Sequence, residues 1–276
     1  MNTTVVRSLS GIVFLAVMIG CLLGGTESFT VLVLFIQGVM MQEFYRITMA
    51  DRHKAVRVAA ELLAFFAFGL VSLYTGPKPL PVKYFSILLP LLVGLLIWMV
   101  VDHKDFKEYA YVLAGLLYIG LPLALSPFVV STGEGGYSGL LMLAFFIIIW
   151  SSDVGAYCFG MLLGQKIWPA KLCPAISPKK SWAGYIGGLL TSILAGAILS
   201  WTGLVSFPMV HCLAMAALMH VTGVFGDLFE SLWKRSAGIK DSGNIIPGHG
   251  GLMDRFDSAL FAIPTGYIYL LVFNLV

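Results

Sequence analysis

The chain has 276 residues, 59% of them hydrophobic and only 11% charged, with a mean hydropathy of +0.91. So few charges cannot coat a soluble surface of this size, and the formal charge of +3 is spread over loops rather than drawn into a nucleic-acid-binding stripe. The composition leaves an integral membrane protein, and the expected fold class is all-α and polytopic.

In chain order, Arg7 is followed by an apolar run from Gly11 to Gly25. The run looks like a secretion signal, but no small-x-small cleavage site is obvious and more spans follow, so an uncleaved first helix is expected. Runs near the roughly 17–25 residues needed to cross a bilayer fall at about 6–25, 29–45, 57–75, 84–101, 109–130, 139–162, 183–204, 207–229 and 258–276, about nine spans. The second is short enough to be tilted or re-entrant, and the eighth carries His211 and His220. No repeat, linker or low-complexity segment divides them. One transmembrane domain over 1–276 is expected, with N-terminal spans in 1–138 and a catalytic half in 139–276.

With nine spans, all 17 Lys and Arg residues except Lys78 and Lys83 fall on one side. That asymmetry marks the cytoplasmic side. It puts the N-terminus inside and the C-terminus outside. The two largest inner connections are Gly164 to Trp182 and Ser231 to Asp257, and function is expected there. Cys21, Cys158, Cys173 and Cys212 show neither metal-ligand spacing nor a disulfide framework. Three of them lie in apolar runs, as small hydrophobes do.

Asp153, in Trp150-Ser-Ser-Asp-Val-Gly-Ala-Tyr157, lies inside the sixth span. A carboxylate there costs about 2.5–3.5 kcal/mol on insertion scales, so it should face a cavity, a partner or an ion, or else bond a neighbouring helix. Gly155, Gly160 and Gly164 keep one side of that helix small enough for close approach. In Ser177-Pro-Lys-Lys-Ser-Trp182, the lysines are either topology signals and anionic-lipid contacts or phosphate-binding point charges. In the second case Lys179 and Lys180 hold a polyphosphate, and Ser177 and Ser181 add hydroxyls.

Asp227 and Glu230 share one helix face and repel unless a cation sits near them, although a solvated helix end would also carry them. Ser231, Lys234 and Arg235 continue the same face. The following loop sets Lys240 and Arg255 against Asp241, Asp254 and Asp257, around Pro247-Gly-His-Gly-Gly251. Gly248, Gly250 and Gly251 let backbone N–H groups turn inward as an anion nest. His249 either bonds a phosphate or orders the turn. Carboxylates without cysteine suit Mg²⁺ over Zn²⁺. There is no GxxxxGK[ST] phosphate loop, and the Asp-Gly-x-x-Ala-Arg opening of CDP-alcohol phosphotransferases is absent.

The run Ser231-x-x-Lys-Arg235, Lys240-Asp-x-Gly243, Ile246-Pro-x-His-Gly-Gly251, Asp254-Arg-Phe-Asp257 resembles the signature of phosphatidate cytidylyltransferases, or CDP-diacylglycerol synthases. Ser152-Asp153…Tyr157…Gly160, Ser177-Pro-Lys-Lys180…Gly187-Gly188 and Gly226-Asp227…Glu230-Ser231 resemble the family's other polar blocks. Trp233, Val154 and Ala183 depart from its commoner residues. The resemblance covers about Trp150 to Asp257.

It implies transfer of a cytidylyl group from CTP to phosphatidate on the cytoplasmic face of a bacterial inner membrane. It also implies Mg²⁺, with room for a second, monovalent cation. Asp227, Asp254 and Asp257 would hold the metal, with Asp153, Glu230 or Asp241 as further ligands. Lys179, Lys180, Lys234, Arg235, Lys240 and Arg255 would hold phosphates. Partners are then CTP, phosphatidate and membrane lipids, with no nucleic acid. A homodimer is compatible with the Gly184–Gly188 face. Two alternatives are a CTP-dependent transferase for another lipid, and a transporter using Asp153, Asp227 and His220 as a relay. The relay is disfavoured because polar residues gather on one face instead of crossing the membrane.

Overall fold

A computed structural model describes residues 3–49, 53–102, 105–133, 135–164, 167–248 and 250–276, the side chains of 3–7 and Asp102 aside. His249 lies outside the described residues, as do Arg52, Lys104 and Lys166 of the loop asymmetry. The helices are α1 (Thr3–Leu23), α2 (Thr26–Met49), α3 (Lys54–Thr75), α4 (Leu88–Asp102), α5 (Phe106–Gly115), α6 (Leu121–Ala124) and α7 (Ser126–Val130), then α8 (Leu140–Leu162). A hairpin of β1 (Lys171–Cys173) and β2 (Ser177–Ser181) precedes α9 (Trp182–Trp201), α10 (Met209–Ser236), α11 (Met253–Phe256) and α12 (Ala259–Val272).

Among the described residues seven helical stretches are long and apolar enough to cross a membrane, at 26–49, 54–75, 82–101, 106–130, 140–162, 182–201 and 209–236. The first expected span is matched by α1, 21 residues from Thr3 to Leu23, and the last is helical but shorter, α12 having 14 residues. Helix α4 leaves Leu89, Val93 and Val100 bare, a hydrocarbon face that suits lipid and not water. The second span is longer than the expected 29–45, because α2 continues unbroken for 24 residues.

The chain forms two compact units: residues 1–139 with 241–255, and residues 140–240 with 256–276. In the first, α2 is the core, with Met40, Met41 and Tyr45 fully buried. The helix after α5 widens into a π turn at Leu116–Gly120, a form that disturbs the usual carbonyl pairing. Helix α2 supports this stretch from the side. Gln37 Nε2 donates to Gly120 O at 3.3 Å, and Tyr45 Oη donates to Val112 O at 3.1 Å. Gly115 must be glycine for this approach, since a Cβ there would lie 2.5 Å from Tyr45 Oη.

In the second unit α8 and α9 pack backbone against backbone. Gly155 faces Thr191, whose hydroxyl donates to Ser151 O at 2.9 Å, and Gly187 faces the Phe159 ring. The Gly184–Gly188 face offered to a homodimer is therefore filled within the chain by α8. Gly187→Ala would drive a methyl into Phe159, and overpacking of this kind costs about 1–3 kcal/mol. The expected result is a lower midpoint in thermal unfolding of the detergent-solubilised protein.

The hairpin is the one sheet among the described residues, a small addition to the expected all-α fold. It also gives Ser181 a structural role. That hydroxyl is buried and accepts the Gly184 N–H at 3.1 Å as the α9 N-cap.

Candidate active site

Helix α10 runs past the expected end at 229 to Ser236, so Asp227, Glu230 and Lys234 stand on one continuous helix. Gly226 brings that helix against the turn before α12. A Cβ there would lie 2.5 Å from Asp257 O and 2.9 Å from the Phe261 ring. The closeness gathers charge. Loss of hydration pushes the Asp257 carboxyl well above the usual carboxylate range, and Asp227, Glu230 and Asp153 push the same way. The Ser258 N–H, donating to Asp257 Oδ1 at 2.7 Å, opposes them.

Lysines answer these acids. Lys180 Nζ from β2 meets Asp227 Oδ2 at 2.5 Å, and Ser231 Oγ donates to Asp227 Oδ1 at 3.3 Å. Lys234 Nζ meets the fully buried Glu230 at 2.6 Å, one helical turn away. A buried pair of this kind is costly to break from one side. Lys179, the strand neighbour of Lys180, is exposed, and Ser177 is half-buried. Arg235 donates to Ile239 O at 3.1 Å and closes the end of α10, while Lys240 is exposed.

The loop of the first unit is built around two carboxylates. Asp254 Oδ2 accepts from Ser242 N at 2.9 Å, from Ser242 Oγ at 3.1 Å and from Gly251 N at 2.8 Å. Glu43, buried on α2, accepts Leu252 N at 3.0 Å and Met253 N at 2.9 Å, and shares the Ser242 hydroxyl at 3.0 Å. Arg46 Nη2 reaches Ser242 O at 3.3 Å, and Ser10 Oγ reaches Pro247 O at 3.1 Å.

Gly248 and Gly250 take the left-handed φ of 76° and 87° that the turn requires. A Cβ on Gly251 would strike Ser242 Oγ and the Glu43 carboxylate. Asp241 and Arg255 are exposed. Glu43 is absent from the sequence-derived set. Its signal was an acid beside Gln42 inside an apolar span, where any charge needs a reason.

The structure thus gathers Asp153, Asp227, Glu230 and Asp257 with Lys180 and Lys234 in the second unit, and the Gly248–Gly251 turn with Asp241, Asp254 and Arg255 in the first. Among the described residues no three His, Cys, Asp or Glu side chains form a ready-made ion cage. The donor chemistry nevertheless fits Mg²⁺. It is all carboxylate, its mutual repulsion falls on Asp257, and Mg²⁺ keeps several waters and needs only one or two protein carboxylates.

Helices long and apolar enough to cross a membrane, with a cluster of acids matched by lysines, define an integral membrane protein. The family model described as "Cytidylyltransferase family" matches residues 5–273, and the chain belongs to that family. Its relatives include the phosphatidate cytidylyltransferase of Bacillus subtilis (strain 168), 32% identical over 275 residues, covering 97% of this chain and 98% of that protein. The phosphatidate cytidylyltransferase of Rickettsia bellii (strain RML369-C) is 35% identical over 196 residues, 68% of this chain and 78% of that protein. That of Staphylococcus haemolyticus (strain JCSC1435) is 35% identical over 170 residues, 62% of each chain.

Proposed function

We propose that the protein transfers the cytidylyl group of CTP to phosphatidate, giving CDP-diacylglycerol and pyrophosphate. The observation that carries this reading is the set of acids around Asp257 answered by Lys180 and Lys234. In the reaction a phosphatidate phosphate oxygen bonds to the α-phosphorus of CTP. The bond from that phosphorus to the α,β-bridging oxygen breaks, and pyrophosphate leaves with the electron pair. The nucleophile is already an anion, so no strong base is needed. The difficulty is bringing two anions together and accepting the leaving charge, which positioning and charge neutralisation address.

Asp227 and Asp257 are the proposed Mg²⁺ ligands, with Asp153 and Glu230 beside them. The ion would neutralise phosphate charge. Lys180 and Lys234 neutralise acids in this structure and would turn to phosphates when the cation takes over those acids. Lys179 from its exposed position supplies a further charge, and Arg235 and Lys240 continue the basic surface of the same unit. Asp254 is assigned to the loop, because its Oδ2 takes three donors there. The Gly251 N–H is committed to Asp254, so the proposed anion nest narrows to Gly248 and Gly250. The cytoplasmic face of a bacterial inner membrane is the proposed location, on the lysine and arginine asymmetry.

The test uses purified protein in detergent–lipid micelles with radiolabelled CTP and either phosphatidate or a polyprenol. Label should enter the organic phase only with phosphatidate and only without EDTA. Transfer to the polyprenol alone would keep the nucleotide site and replace the lipid. Absence of transfer to either by folded protein would refute the reading.

A further inference from the structure

The second unit buries an imidazole that the chemistry above leaves unused. His220 is 2% exposed on α10 and stands two helical turns before Asp227, on the face that continues to Asp227 and Glu230. Two turns are about 10 Å along the helix axis. The ring Nδ1 lies 2.7 Å from the hydroxyl of Ser152 on α8, and Ser152 is buried as well. Ser152 is the residue before Asp153.

Helix α9 shapes the rest of the imidazole's surroundings. The Tyr185 ring centre is 4.7 Å away, and a Cβ on Gly188 would lie 2.9 Å from His220 Cε1 and 2.9 Å from Ser152 O. Lys180, which pairs with Asp227, is near enough for its charge to act on the imidazole. The ring is thus held by α8 and α9 next to the set of acids and lysines.

Burying a hydroxyl against an imidazole strips both of water, and the bond between them returns only a modest net gain. Two hydrocarbon side chains would join these helices as firmly. What the polar pair adds is a fixed distance and direction. Packed apolar surfaces let α8 slide slightly along α10, whereas a short hydrogen bond does not. The bond pins Ser152, and with it Asp153, at one height against the helix that carries Asp227 and Glu230. Asp153 bears on the Asp257 carboxyl, so that height sets how the acids share a cation.

We infer that His220 is a positioning residue: through Ser152 it fixes where Asp153 stands relative to Asp227 and Asp257. This rests on the proposed function and deepens it. The imidazole acts through Asp153 and touches no reacting atom.

The experiment uses full-length protein in detergent–lipid micelles and reads kcat, KM, Mn²⁺ binding by electron paramagnetic resonance, and the thermal unfolding midpoint. Ser152→Ala and His220→Leu should each lower kcat about tenfold at saturating Mg²⁺, the low end of what is lost when a group supporting a metal ligand is removed. Mn²⁺ binding should weaken about threefold or more, with KM for CTP unchanged within about twofold. His220→Asn, whose amide can meet Ser152 in place of Nδ1, should bring both kcat and Mn²⁺ binding back to within about threefold of wild type.

Combining Ser152→Ala with His220→Leu leaves neither partner unmet. The unfolding midpoint should then return close to that of the wild type while kcat stays about tenfold low. In an Asp153→Asn background, neither substitution should weaken Mn²⁺ binding further, since groups that act as one are not additive. Wild-type kcat and Mn²⁺ binding in folded Ser152→Ala overturn the inference. So do effects that add in full to that of Asp153→Asn, or a kcat that recovers with the midpoint in the double variant. Absence of turnover on phosphatidate by the wild type would refute the proposed function instead, and the Mn²⁺ comparison would still decide the role of His220.

Discussion

Asp257→Asn is expected to lower turnover by at least about 10²–10³-fold, the scale lost when one charge-stabilising group is removed from a reacting centre. Expression and membrane insertion should be normal, because Asn fills the same space and its side-chain oxygen can still accept the Ser258 N–H. The same substitution should change how stability responds to pH. Desolvation and three neighbouring acids push the Asp257 carboxyl up, so the folded chain holds that proton more tightly than the unfolded chain does. The associated stability is full below the ordinary carboxylate range and is lost as pH rises through the folded value. Without divalent cations, the wild-type unfolding midpoint should therefore fall as pH rises from the acid range towards neutrality. In Asp257→Asn that contribution to the slope disappears, and the variant should be the more stable at neutral pH. Near-normal turnover in the variant would remove Asp257 from the centre.

Glu43→Ala is the second large effect. It strips the Leu252 and Met253 N–H groups of their acceptor and leaves Ser242 only Asp254. Each buried donor left without its acceptor costs about 1–3 kcal/mol. The loop from Asp241 to Arg255 should lose its single conformation while the apolar core of α2 survives. Limited proteolysis should then cut within 241–255 in the variant and spare the wild type. Activity should fall by about a hundredfold or more, the size of effect that misplacement of positioning residues produces. Glu43→Gln, which still offers one acceptor oxygen, should fall between the two. A variant with an uncut loop and full activity would show that Asp254 alone holds the turn.

Apolar run length and the polar blocks made the membrane class and the acid–lysine set legible in the sequence. Asp227, Glu230 and Lys234 obey helical spacing, so their shared face could be read directly, and the structure extends the helix that carries them. The different employment of Asp254 and Asp257 was not legible. Both sit three residues apart in one polar run, yet one bonds the loop of the first unit and the other lies near Asp227 in the second. Sequence spacing carries no information on which backbone N–H groups a carboxylate will meet.

Glu43 was hidden for a related reason. Its partners lie about 200 residues further on, at separations of 199 to 210, and no local pattern encodes a contact at that range. The hairpin at Lys171–Ser181 escaped because its strands are short and irregular in register. The glycines of α9 were legible as a packing face, but not the helix that would fill it.

The most direct measurement is Mn²⁺ binding followed by electron paramagnetic resonance on the purified full-length protein, comparing wild type, Asp257→Asn and Asp254→Asn. The carboxylates between α10 and α12 hold the cation in this account. Asp257→Asn should weaken Mn²⁺ binding by about tenfold or more, and Asp254→Asn, whose carboxylate serves the loop, should change it far less. Unaltered binding in Asp257→Asn together with loss in Asp254→Asn would contradict the account and move the metal to the loop.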